Sequence, residues 1–346
     1  MRRFRHAEES RKTAAKKSAK KAVKKGTKSK KTSAPSPERL NEDLLRQFEL
    51  LAEEEALFED EEEDEGALFS DGDLKAFVTS FAGPSPYDGL SDAEQDARRD
   101  AQEFAFDAME ASSKAAALKL VKKALKLDPD CVDALVLLND LSARTDGDLL
   151  DGLEKAVAAG ERWLSPKFIE KNKGDFWGLI ETRPYMRALN RWAEELSAAQ
   201  MRPKAIEVYE RILELNPEDN QGVRYPLLGL YLTEANLAAS EKLLKQYEVD
   251  ESAVFLWGRV IERLLAGDLE GAGAALPGAF EANQYVALFL SGRRKPPAAL
   301  PEMYEMGSEE EAALCLFYLG VSVVKDHEAH LWLYEQCSAL VSPGVQ

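Results

Sequence analysis

His327 and His330 stand three residues apart in "DHEAH", and Cys337 follows on the same helical stretch. Two imidazoles and a thiolate are zinc donors by type, but zincins use His-Glu-x-x-His, whose four-residue separation turns both rings towards one metal. The separation here is three, no third ligand is defined, and no metal site is assigned. The sequence has no Gly-x-Gly-x-x-Gly run, no phosphate loop and no Gly-x-Ser-x-Gly elbow. With 62 Asp and Glu in the chain, a pair of carboxylates carries no information. No catalytic residue and no cofactor are assigned.

Recognition is the chemistry left to these residue types. Arg187, Asn190, Arg191, Gln221, Arg224, Arg259 and Arg263 combine guanidinium forks, which offer a carboxylate two parallel donors, with side-chain amides that add a further one. Such a set acts together only if the fold turns it into one groove. Trp177, Arg183, Tyr185 and Arg187 in "FWGLIETRPYMR" form the densest aromatic and basic cluster. Its rings are expected to fill a joint in the core rather than to hold a ligand.

The elements that must position these residues read as helices almost without interruption from Ser91. Ser91 and Glu94 have capping-box spacing, and so do Ser308 and Glu311. "LKLDPDCVDALVLL" is a helix, a stop at Pro129 and a second helix, and no series of alternating β-branched strands with hairpin turns occurs. The fold class expected is all-α. A 34-residue tetratricopeptide frame, set on Pro217, places Leu189, Trp192, Ala193, Leu196, Ala205, Tyr209 and Ile212 at its large and small positions, with only Ile212 oversized. The same frame around Pro129 takes Ala117, Val121 and Ala124. Small residues let paired helices approach while large ones fill the space between pairs, so helix-turn-helix repeats forming an α-solenoid are expected.

Further helices are expected at about 222–234, 237–247, 252–266 and 269–282, with Pro226 in a first turn. Residues 148–184 fit the frame poorly and read as an irregular helical insert. The repeats then occupy 91–291, and 292–346 forms a Pro-rich strap with a final helix pair. In a repeat array the first helix of each pair lines the concave side, and this register turns the seven Arg, Asn and Gln residues towards it.

Charge divides the chain. Residues 1–39 hold 15 Lys and Arg against three Glu, while the rest carries 30 basic and 59 acidic residues, so the net −17 joins a +12 segment to a −29 remainder. Residues 1–36 are Lys, Ala and Ser with almost nothing to bury, which predicts a disordered basic arm. Such arms resemble the tails of histone H1-like proteins, and one alternative function is nonspecific nucleic-acid binding through them. Residues 37–90 form a partly helical acidic linker region: "PERLNEDLLRQFELLAEEEALF" has helical spacing, and an acidic block, Glu59–Glu65, follows. Tethered to the body, that block is one candidate occupant of the basic groove at high effective concentration, with the Lys-rich arm as a rival partner for it.

No apolar run approaches a membrane span and the N-terminus lacks a secretory apolar region, so a cytoplasmic protein without membrane contact is expected. Three cysteines, Cys131, Cys315 and Cys337, without a Cys-x-x-Cys pair suggest buried thiols rather than a disulfide framework.

"LKLDPDCVDALVLL", "GDFWGLIETRPYMRAL", "YERILELNPEDNQGVRYPLL" and "SEEEAALCLFYL" resemble, in order, bacterial tetratricopeptide-repeat proteins similar to the C-terminal part of the suppressor of tumorigenicity seven family. The resemblance runs from about Asp100 to Leu333. It implies a helical-repeat interaction protein and no established activity. Where that family has Asn-Pro-His-Val-Pro, this chain has Asn283-Gln284-Tyr285-Val286-Ala287, which implies a looser turn before the strap. The basic set also resembles carboxylate-clamp repeats of co-chaperones without matching their motif residue for residue. The function expected is a non-catalytic adaptor binding an extended acidic peptide segment of another protein. The alternatives are the nucleic-acid-associated protein already described and a metal-binding or enzymatic protein.

Overall fold

The computed structural model describes residues 85–342 apart from 302 and 326, without the side chains of 321–325. The chain divides into two units, Met1–Leu74 and Lys75–Gln346, and every described residue belongs to the second. The basic arm, the helix expected from Pro37 to Phe58 and the block Glu59–Glu65 lie outside the described residues.

Among the described residues the chain is all-α. Five hairpins follow one another: α1 (Asp92–Met109) with α2 (Lys114–Leu127), α3 (Val132–Ser142) with α4 (Asp146–Leu164), α6 (Arg183–Ala198) with α7 (Arg202–Leu215), α8 (Arg224–Thr233) with α9 (Leu237–Gln246), and α10 (Ala253–Leu265) with α11 (Leu269–Ala282). A short α5 (Pro166–Lys171) and a 3-10 turn at Ile180–Thr182 stand between α4 and α6, and α12 (Gln284–Leu290), α13 (Glu309–Lys325) and α14 (His327–Leu340) complete the chain. Each first helix packs on its own second helix, and each second helix on the first helix of the next hairpin. This is the tetratricopeptide-like α-solenoid that the repeat frame implies. The four helices expected after Gly222 begin and end within two residues of those observed.

Local chemistry sets the helix ends. Ser91 accepts from the Glu94 backbone while the Glu94 carboxylate accepts from Ser91, and Thr145 with Asp148 repeats the arrangement, so two of the orphan donors at each helix start are satisfied reciprocally. Pro226 is the third residue of α8, inside the first turn, where its missing N–H costs nothing.

The frame residues are the core. Leu189, Ala193, Leu196, Ala205, Tyr209 and Ile212 are all buried, as are Ala117, Val121 and Ala124. Burying each large side chain contributes roughly 1.5–3 kcal/mol. The alanines contribute closeness of approach instead. Gly160 does the same on α4: a Cβ there would stand 2.5 Å from the Tyr185 ring, so glycine permits α6 to pack on α4.

After α11 the alternation changes. α13 packs across α8 and α10, both first helices, and so covers the first-helix layer of the C-terminal hairpins. Gly229 of α8 allows the contact, since a Cβ there would lie 2.3 Å from the Tyr318 carbonyl oxygen on α13. The Ser308–Glu311 capping box forms only by half. Ser308 Oγ accepts from the Glu311 backbone at 3.1 Å, but the Glu311 carboxylate is drawn into the interior. There it accepts from the Ala253 backbone at 3.0 Å, from Asn283 Nδ2 at 3.0 Å and from the Gly307 backbone at 2.7 Å. It therefore joins the start of α10, the start of α12 and the approach to α13, with the α10 amino-terminal dipole favouring its charge. Asn283, which also donates to Ser308 O at 2.8 Å and accepts from the Tyr285 backbone at 3.0 Å, is buried and held on every side. The looser turn implied by its sequence context is not what the fold contains.

Candidate functional site

The seven residues selected for a groove are each engaged within the chain. Arg187 Nε lies 3.3 Å from Asp133 Oδ1, with a second, shorter bond to Oδ2, and Gln102 Nε2 donates to the same carboxylate at 2.7 Å. Gln102, Asp133 and Arg187 belong to α1, α3 and α6, so this ladder joins three consecutive first helices. Asn190 donates to Glu194 at 3.0 Å, and Arg191 bridges Glu195 at 2.5 Å and Asp140 at 3.6 Å. Gln221 donates to the Met186 carbonyl at 3.1 Å. Arg259 donates to the carbonyls of Leu244 and Glu248 at the end of α9, and Arg263 pairs with Asp268 and Glu262.

Arg224 is the most completely used. Its Nε donates to Asp250 at 2.7 Å, Nη1 to Asp219 at 2.9 Å and Nη2 to Tyr225 Oη at 2.7 Å. Its guanidinium carbon also stands 4.4 Å from the Tyr225 ring centroid and 5.4 Å from that of Tyr247. Burial acts against the Arg224 charge, but Asp250, Tyr225 and Asp219 outweigh it and raise its pKa further. Burial pushes the Asp219 carboxyl up, against the bonds it accepts from Arg224 and Val223. The stretch "LNPEDNQGVRY" therefore ties the turn between α7 and α8 to the turn between α9 and α10.

A cleft of about 410 Å3 opens at the other end of the array, between α1, the α2–α3 turn, the end of α4 and the start of α6. Trp163 organises it. Its Nε1 donates to Asp128 Oδ2 at 2.9 Å, Tyr87 meets it edge-on at 5.6 Å, and the Arg98 guanidinium lies 4.6 Å over its ring. Arg98 also donates to the Pro86 carbonyl at 2.9 Å and so holds the incoming chain beside α1. Phe106 and Ile180 line the cleft while remaining 50% and 72% exposed. Arg99, Arg183 and Arg187 stand around it with Glu103 and Glu181. Cys131 also lines it, but burial pushes its thiol up to about 12, so it stays protonated and unreactive at neutral pH.

Tyr185 is buried against Phe176 at the joint between the irregular segment and α6, while Trp177 is half-buried beneath Arg183. Trp163, Tyr87 and Asp133 were not singled out from the sequence. The frame that marks core positions says nothing of a side chain at the end of a second helix or of a turn residue upstream of α1. His327 is exposed, Cys337 is fully buried, and among the described residues no group of three or more His, Cys, Asp or Glu is placed to hold a metal ion. Among the described residues no helix is long and apolar enough to cross a membrane.

No family model matches the chain, and no curated protein matches it. Solved structures do match. One is described as YrrB, a TPR protein with an unusual peptide-binding site; it is 18% identical, with 52% of this chain and 84% of that chain covered and a TM-score of 0.38. At that similarity the fold assignment rests on the packing of this chain's own hairpins.

Proposed function

We propose that this chain is a non-catalytic helical-repeat adaptor that binds an extended segment of another protein in the cleft between α1 and α6. The observation that carries this reading is the asymmetry of the first-helix layer. α13 covers it at α8 and α10, whereas at α1, α3 and α6 a cleft with exposed apolar walls remains open. Mostly apolar concavities with a few placed polar groups are the usual form of binding sites. Arg98 and Arg183 donate to backbone carbonyls rather than to carboxylates, which leaves their charge available to an acidic partner. Arg187 and Arg191, with side chains 42% and 38% exposed, follow along α6 but are already paired with Asp133 and with Asp140 and Glu195, so Arg98 and Arg183 carry the basic side. The resemblance to the suppressor of tumorigenicity seven family belongs to this reading and agrees with an interaction role.

Peptide selection on the full chain tests it. Enrichment of acidic sequences with apolar anchors is expected, and Arg183→Glu should weaken their binding by about tenfold, the loss of one charge-assisted contact, without moving the unfolding midpoint. Absence of enrichment, or binding indifferent to Arg183→Glu and Ile180→Lys, would overturn it. A second reading, nucleic-acid binding by residues 1–36, draws on their charge alone. It requires affinity that falls steeply with salt and vanishes on removal of those residues.

A further inference from the structure

We infer that the cleft between α1 and α6 is the docking site of the chain's own segment "KAFVTSFAG", Lys75–Gly83, so that a partner must displace an internal occupant.

Three observations converge on that occupant. The first is geometric. Ser85 is the first described residue, and Pro86 and Tyr87 already lie against Arg98 and Trp163, with Tyr87 lining the cleft. At ~3.3–3.6 Å per residue the Phe81 Cα cannot be more than about 22 Å from that of Tyr87. A tether of this length holds the segment at an effective concentration on the order of millimolar. Even a weak docking preference is then realised within the chain.

The second is the pattern. Phe77 and Phe81 are four residues apart with Val78 beside them, the sequence spacing by which apolar anchors are offered to a groove. The cleft offers the complement, since Trp163, Phe106 and Ile180 present apolar surface that the rest of the fold leaves open.

The third is charge. The segment carries one ionisable side chain, Lys75. Glu103 and Glu181 both line the cleft, and neither has a cation bound to it among the described residues. A single cation on an apolar face fits them, whereas Asp130, also at the cleft, is already held by Arg162 at 2.6 Å. The self-docking goes beyond the adaptor reading and is tested apart from it, in the absence of any peptide; the displacement by a partner rests on that reading.

Site-specific photo-cross-linking in the full-length chain tests it. With p-benzoylphenylalanine in place of Phe77, irradiation of dilute protein should give intramolecular adducts concentrated on Arg98–Met109, Gly160–Leu164 and Ile180–Pro184. Ile180→Lys changes a side chain that is mostly in solvent and should leave the fold intact, yet should lower the yield at the cleft by about fivefold, as removal of an interface anchor does. Phe81→Glu, outside the described body, should do the same. Adducts scattered over the surface, or formed only between copies, would overturn the proposal. So would cleft adducts that neither substitution reduces, since they would reflect tether length alone. Loss of peptide selection with retained cleft adducts would sink the adaptor reading and leave the self-docking standing.

Discussion

Arg224 brings one positive charge to two carboxylates, Asp219 with its side chain fully buried and Asp250 nearly so. The arrangement holds because the guanidinium satisfies both acids and a phenol at once, whereas a lone buried carboxylate would lose its hydration without return. Removing the cation while leaving the acids is therefore costlier than losing an exposed pair. Arg224→Ala is expected to destabilise the fold by about 3–5 kcal/mol, and Arg224→Lys by less, since it keeps the charge but not the fork. Chemical denaturation followed by circular dichroism measures both; a cost below 1 kcal/mol for the alanine variant would show that Asp219 and Asp250 do not need their cation. This pairing also marks where the sequence stops being legible. Helical spacing identifies Arg224 as lying near a turn and first-helix face, but Asp250, 26 residues away, enters only through the stacking of two hairpins. Nothing in local periodicity announces it.

At the scale of the helix, legibility was greater because the signals are local. Capping residues, the Asp128-Pro129 and Asn216-Pro217 stops and the large and small positions of the repeat define hairpins without tertiary information, and the fold follows from them. α13 is the exception: its sequence marks a helix but not the layer it covers. Nothing in the local sequence distinguishes Gly229 from other glycines; the Tyr318 backbone packed against it does. Gly229→Ala is expected to push α13 off α8 at a cost of about 1–3 kcal/mol, with amide exchange accelerating in α13 and α8 but not in α1. Uniform exchange across the array would contradict that close approach.

The capping boxes give a pH prediction. The Ser91 hydroxyl and backbone hold the Glu94 carboxyl below its ordinary 4.5, and Thr145 with the Arg144 and Thr145 backbones holds Asp148 below 3.8. A depressed folded pKa means stability that is fully present above the ordinary value and lost as pH falls through the folded one. Glu94→Gln and Asp148→Asn should therefore lower the melting temperature at pH 6, and the difference from the parent chain should shrink as the pH falls below the ordinary 4.5 and 3.8. A difference that stays constant over that range would rule out the charged caps as its source.

Across the whole described unit, closure is unequal. The C-terminal hairpins have their first-helix layer covered by α13, and Glu311 fastens that cover to α10 and α12, while the N-terminal hairpins keep an open cleft. Repeat arrays are stabilised through nearest neighbours, so damage to one end need not travel to the other. Ending the chain after Gly307 should uncover α8 and α10 and loosen α8–α12, visible as dye binding and fast amide exchange there. The hairpin α1–α2 and the start of α3, which share a small-residue core of Ala101, Ala105, Val121, Ala124 and Ala134 separate from the main cluster that holds α4, should keep their protection and their side of the cleft. Exchange that rises equally from Asp92 to Leu290 would mean that the array unfolds as one cooperative body, and the open and closed halves would then be parts of a single stability unit rather than a binding end and a capped end.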